Sequence, residues 1–141
     1  MLTDKILREG DLNAIRKIPK ADVHAHMILS APFAAYQEVF DNPIAPPPKV
    51  FQGGLQEFLR YVSTSIFPNF KHPDQLKYIL HRMFEHMISD GITYTELSCD
   101  IRLPMVFGLS WDEFIILFDD IVSQNREHIT VRPELGLARE T

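Results

Sequence analysis

His24 and His26 make the most specific chemical offer in the chain: two imidazoles separated by one residue in the run Ala21-Asp-Val-His-Ala-His26. Side chains alternate between the faces of an extended strand, so residues i and i+2 project together from Cα atoms about 7 Å apart. From that distance two rings can converge on one ion. Neutral imidazole nitrogen is a ligand for zinc and related divalent transition metals. A pair supplies half of a tetrahedral set, or two ligands of five, and must be completed from elsewhere. Two histidines at this spacing also suit a solvated strand face with no ion at all.

The elements that must position the pair can be read from spacing. Segment 21–26 reads as a short strand, with Val23 and Ala25 alternating against a polar face of Asp22, His24 and His26. Before it, 11–17 suits a short amphipathic helix with Leu12 and Ile15 on one face, closed by Pro19. Segment 41–54 holds four prolines and two glycines, which exclude a regular helix or a central strand, so a loop or lid is expected. Helical spacing resumes over 54–65 with Leu55, Phe58, Leu59 and Val62, and a proline-bearing turn over 67–73 ends it.

The clearest helix starts at Asp74, with Leu76, Ile79, Leu80, Met83, Phe84, Met87 and Ile88 on a three-and-four spacing up to Asp90-Gly91. Segment 92–98 is rich in β-branched and aromatic residues and reads as a strand. Ser110 can cap a helix over 111–126, and 129–138 offers a further strand. Helices separate every pair of strands, so the class is α/β with about three parallel strands. That count fits a small open three-layer sheet, or the N-terminal part of a (β/α)8 TIM barrel, which closes with eight units over about 250 residues.

Composition narrows the function classes. With 45% hydrophobic and 23% charged residues among 141, the chain has enough apolar material for a core, and disorder is not expected; 1–141 reads as one unit. A net charge of -5, with both signs interspersed, gives no cationic surface for nucleic acid or an anionic membrane. Cys99 is the single cysteine, so no internal disulfide forms and a cytoplasmic setting is the default expectation. The first seventeen residues mix charges into every turn and lack the apolar stretch of a leader or membrane span.

The run Ile18-Pro-Lys-Ala-Asp-Val-His-Ala-His26 resembles the opening signature of the adenosine and AMP deaminase family, metal-dependent members of the amidohydrolases. Asp90-Gly-Ile-Thr-Tyr-Thr-Glu-Leu-Ser98 with Arg102 resembles that family's second strand, in the family's order. The resemblance implies a (β/α)8 barrel in which His24 and His26 bind one Zn2+ together with a later His and Asp. It implies hydroxide attack on the amine-bearing carbon of an aminated purine or related ring, with loss of ammonia, assisted by a later Glu. The chain would then be the N-terminal fragment of such an enzyme, with no catalytic proton shuttle of its own.

One departure bears on the substrate. The family continues His-x-His with Leu-Asp-Gly, whereas this chain reads Met27-Ile28-Leu29, so Ile28 stands where a carboxylate would hold a ribose hydroxyl and can neither donate nor accept. A more apolar substrate, or a different aminated ring, fits better. Phe33 and Tyr36 are candidates to line a pocket for that ring, and 41–54 to wall it.

Other polar residues are read as structural. Glu96 shares a strand face with Tyr94 and Ser98 and is expected to be a buried hydrogen-bonding group, with Arg102 pairing to it or to the site's rim. His72, His81, His86 and His128 lie on helices or turns, and Cys99 lacks a cationic neighbour to activate it. The helix over 111–126 carries Phe114, Ile115, Leu117, Phe118 and Ile121, an apolar arc too wide for one buried stripe, so self-association through an exposed half-barrel surface is expected. The competing readings are another amidohydrolase or phosphoesterase, and a non-catalytic half-barrel module for binding or oligomerisation.

Overall fold

The computed structural model describes residues 2–136. Two short helices, α1 (Leu2–Glu9) and α2 (Leu12–Arg16), lead into β1 (Lys20–His26). Next come α3 (Phe33–Val39), the proline-rich segment and α4 (Gly54–Tyr61), which runs on through a π-helical turn (Val62–Ile66) and a 3-10 turn (Phe67–Asn69). The chain continues through α5 (Pro73–Ser89), β2 (Ile92–Asp100), α6 (Leu103–Val106), α7 (Trp111–Asn125) and β3 (Thr130–Gly136). The strands form one parallel sheet in the order β1-β2-β3, as expected when helical crossovers join each pair.

Local signals explain most boundaries. Asp11 caps α2, its carboxylate accepting from the N–H groups of Asn13 and Ala14 at 3.0 and 3.1 Å. Ser110 and Glu113 exchange bonds at the start of α7, and the N–H and hydroxyl donated by Ser110 hold the Glu113 carboxyl below its usual range. Gln75 does similar work for α5: its Oε1 accepts from the N–H of Lys71 and of His72, and its Nε2 donates to Val39 O at 3.2 Å. That last bond ties α5 to the end of α3.

The core lies between α5 and one face of β2. Leu76, Ile79, Leu80, Met83 and Phe84 of α5 are fully buried, as are Thr95 and Leu97 of β2 and Ile121 of α7. Complete burial of one such apolar side chain stabilises by roughly 1.5–3 kcal/mol, whereas an exposed ion pair contributes about 0–1 kcal/mol. The apolar layer therefore holds the sheet, and surface pairs such as Lys71–Asp41 at 3.1 Å trim it. The opposite face of β2, with Ile92, Tyr94, Glu96, Ser98 and Asp100, is half-buried.

Three short helices depart from the sequence reading. The segment 1–17 was expected to be charge-mixed, and α1 forms within it; α3 and α6 occupy stretches assigned no helix. The helix expected over 54–65 is α-helical only to Tyr61 and then widens into the π turn. Leu55 and Leu59 of α4 remain exposed, while Phe58 and Val62 turn inward. The strand expected over 129–138 runs Thr130–Gly136, and its last two expected positions lie outside the described residues.

Candidate metal centre and adjoining pocket

His24 and His26 lie in the last three residues of β1, at the strand's carboxyl end, where parallel α/β folds place their chemistry. Their rings sit side by side with centroids 5.0 Å apart and planes at 86°. Both residues are exposed. Among the described residues, neither imidazole takes part in a hydrogen bond or ion pair.

The strand that carries them is not regular. Lys20 pairs with Ile92 but Ala21 with Tyr94, so β2 has one residue too many there; Asp22 pairs with Thr95 but Ala25 with Leu97, so β1 has one too many here. This corrects the simple alternation expected for 21–26: Asp22 pairs with a residue buried under the helices, while His26 pairs with Ser98 on the open face. Side chains take up the backbone groups at these irregularities. The Thr93 hydroxyl donates to Lys20 O at 3.4 Å, and the Asp22 carboxylate accepts from the His24 N–H at 3.1 Å. At the strand's end, Ser30 Oγ accepts from the His26 N–H at 3.0 Å, while the His26 carbonyl accepts from Leu29 and Ser30 in a tight turn.

Two imidazoles that each bind an ion through a nitrogen about 2.0–2.1 Å away, at a tetrahedral angle, place their ring centres about 5 Å apart. The observed 5.0 Å matches that requirement, so this donor pair fits zinc. Among the described residues no group of three or more His, Cys, Asp or Glu side chains could hold an ion, so the pair has no third candidate donor beside it there.

Of the three candidate pocket residues, Phe33 and Tyr36 line a common cavity, whereas Ile28 is buried in the core and is not among its lining residues. Tyr36 is buried, and its hydroxyl donates to Ile28 O; burial pushes its ionisation upward. Phe33 and Tyr36 share a cavity of about 140 Å³ with Leu29, Pro47, Phe58 and Tyr61. Ile28 lies in the core with 5% exposure, holding Tyr36 through its carbonyl. The proline-rich segment is wall here: Pro47 lines the cavity, Ile44 is buried, and Tyr61 Oη donates to Ala45 O at 2.8 Å.

Glu96 accepts from Tyr94 Oη at 2.9 Å and lies 3.8 Å from the Arg132 guanidinium, as befits a structural carboxylate. Of the two pairings expected for Arg102, with Glu96 or with the rim of the site, the structure shows a bond at the strand's end: its Nε and NH2 donate to the two carboxylate oxygens of Asp100 at 3.1 and 2.9 Å. Those bonds hold the Asp100 carboxyl below its usual range. Both residues border a cleft of about 700 Å³ beyond β2, together with Arg60 and Ser63. Cys99 is buried, and desolvation followed by the charge of Asp100 pushes its thiol up to about 11, which keeps it a poor nucleophile.

Three parallel strands linked by helices, with a polar pair at the carboxyl end of the first, form the arrangement expected of the opening part of a (β/α)8 barrel. Among solved structures the chain matches an amidohydrolase from Burkholderia ambifaria with bound zinc, at a TM-score of 0.61 and 15% identity, covering 86% of this chain and 35% of that one. In sequence it is similar to a Treponema pallidum (strain Nichols) protein named "Putative adenosine/adenine deaminase": 26% identical over 128 residues, covering 91% of this chain. The chain spans 42% of that relative's length. No protein-family profile matches it. The α/β fold expected for the opening part of a barrel is thus borne out by the structural likeness, and the resemblance read from the sequence agrees with the name of the Treponema relative. Among the described residues no helix is long and apolar enough to cross a membrane.

Proposed function

We propose that this chain supplies the first two metal ligands, His24 and His26, and part of the pocket wall of a metal-dependent hydrolytic deaminase acting on an aminated purine or a related ring. The observation that carries this reading is the pair of unengaged imidazoles 5.0 Å apart at the carboxyl end of the first strand. Zinc held there would supply the acidification of water that hydrolysis of an amine-bearing carbon needs near neutral pH. The chain's own contribution is to hold two nitrogens toward one point and to offer an apolar recess walled by Phe33, Tyr36 and Pro47 to a flat ring. Ile28 in the core leaves the turn after β1 without the carboxylate that would grip a ribose, which favours a base or an apolar derivative over a nucleoside.

The test is ammonia release from adenine, adenosine and AMP by protein expressed from the complete reading frame, together with its zinc content. Stoichiometric zinc and turnover of at least one of these substrates are expected; a metal-free, inert protein ends the reading. Among the described residues no third metal-binding group accompanies His24 and His26, so the 141-residue chain by itself is expected to release no ammonia from any aminopurine.

A second reading, a non-catalytic module for self-association, is favoured by one apolar surface. Trp111, Ile115 and Ile116 of α7 and Leu135 of β3 are exposed, and a groove of about 420 Å³ runs between the two elements. Exposed apolar patches of this kind favour association. Sedimentation of the purified chain is expected to show a concentration-dependent dimer that Ile116→Glu dissociates. A wild-type chain that remains monomeric at every concentration removes this reading.

A further inference from the structure

We infer that Asp22 and Ser30 are positioning residues for the histidine pair: their side-chain oxygens take the backbone N–H groups of the two histidines and thereby fix which face of the sheet the imidazoles occupy. The inference rests on the metal site proposed above and deepens it.

The argument starts from register. Asp22 pairs with Thr95, a residue fully buried under the helices. Had β1 continued regularly from there, His24 would pair with Leu97 and His26 with Cys99, both of which are buried on the helix side. A one-residue slip of register moves every side chain to the other face. The extra residue between Asp22 and Ala25 supplies that slip in the useful direction: Ala25 takes the place opposite Leu97, and His26 pairs with Ser98 on the open face.

A strand gives up a ladder bond at such a bulge, and the freed N–H can then be taken by a nearby side-chain acceptor. The Asp22 carboxylate is that acceptor for His24 at 3.1 Å, in the local two-residue geometry to which Asp is suited. Ser30 performs the same service for His26 at 3.0 Å from the far side of the turn. Each proposed ligand residue is thus anchored by a side chain within four positions of it in sequence, and the rings emerge 5.0 Å apart.

The experiment compares Asp22→Ala, Asp22→Asn and Ser30→Ala in the purified chain, using three readouts. These are hydrogen exchange at the His24 and His26 amides, the nuclear Overhauser contact between the two rings, and the affinity for Zn2+ added alone. Asp22→Ala is expected to speed exchange at His24 at least about tenfold, to erase the ring contact and to weaken Zn2+ about tenfold or more. Ser30→Ala should do the same at His26. Asp22→Asn keeps an amide oxygen in place and should remain within about twofold of wild type in all three.

Unchanged exchange and ring contact in Asp22→Ala overturn the inference. So does Asp22→Asn failing as badly as Asp22→Ala, because charge and not the bond would then be at work. Loss of ring contact and protection in Asp22→Ala, in a chain whose Zn2+ binding is indifferent to the histidines, supports the positioning role and overturns only the metal reading.

Discussion

The double variant His24→Ala/His26→Ala is expected to lose Zn2+ affinity by more than about a hundredfold, since removing a partner that merely orients a ligand already costs 10–100-fold. In protein expressed from the complete reading frame, ammonia release should fall below detection. Stability should barely move: both side chains are exposed, and neither is bonded to another protein group except for their mutual ring contact. Substitutions of that kind shift unfolding by about 0.5 kcal/mol or less. This combination separates a ligand pair from a structural one. Calorimetric titration of the metal alongside a urea melt reads both quantities, and unchanged zinc affinity with unchanged turnover would sink the assignment.

The second large effect falls at Gly91, between α5 and β2. Its φ is +80°, a left-handed conformation that disfavours any residue with a Cβ. A Cβ there would stand 2.0 Å from Arg16 O and 2.9 Å from Ile18 O, both of them backbone atoms that cannot swing aside. The glycine is also bonded on both sides: its N–H donates to Ile88 O at 2.9 Å and its carbonyl accepts from Lys20 N at 2.8 Å. Gly91→Ala is therefore expected to cost more than about 3 kcal/mol, a large share of the 5–15 kcal/mol typical of a domain. Gly108 is the control, with φ +66° and open space for at least 4 Å around the position a Cβ would take, so Gly108→Ala should cost about 1 kcal/mol from conformation alone. Equal thermal melts for the two variants would show that the close approach to Arg16 and Ile18 is unimportant.

Long periodic elements were legible in the residues because their signals are local and repeated. The apolar spacing of α5, the β-branched run of β2 and the Ser110 cap of α7 each specify an element without reference to the rest of the chain. Where the signal is short or the partner remote, reading failed. The seven residues of α3 follow Pro32 with no side-chain cap, and the four of α6 include a proline. The π turn after α4 is invisible because Leu55, Phe58, Leu59 and Val62 satisfy an ordinary helical period.

The candidate site divides in the same way. The His-x-His spacing lies within one strand and could be read directly, as could the aromatic character of Phe33 and Tyr36. The bulge between Asp22 and Ala25 exists only relative to β2, whose pairing no inspection of 21–26 reveals. Arg102 illustrates the point from the other side. Glu96 and Asp100 share a face of β2, and only the turn into α6 decides that the guanidinium meets Asp100, leaving Glu96 to Arg132.

The two irregularities between β1 and β2 cancel. Lys20 pairs with Ile92 and His26 with Ser98, so the strands begin and end with the same offset although they differ in between. Losing one residue near Thr93 alone, or one between Asp22 and Ala25 alone, would leave the ends mismatched and carry one strand's remaining side chains to the wrong face. Losing both restores the match at the ends. The two sites should therefore be inherited as a pair: in descendants of this chain, a gap in one strand should be accompanied by a gap in the other, although more than sixty positions separate them in sequence.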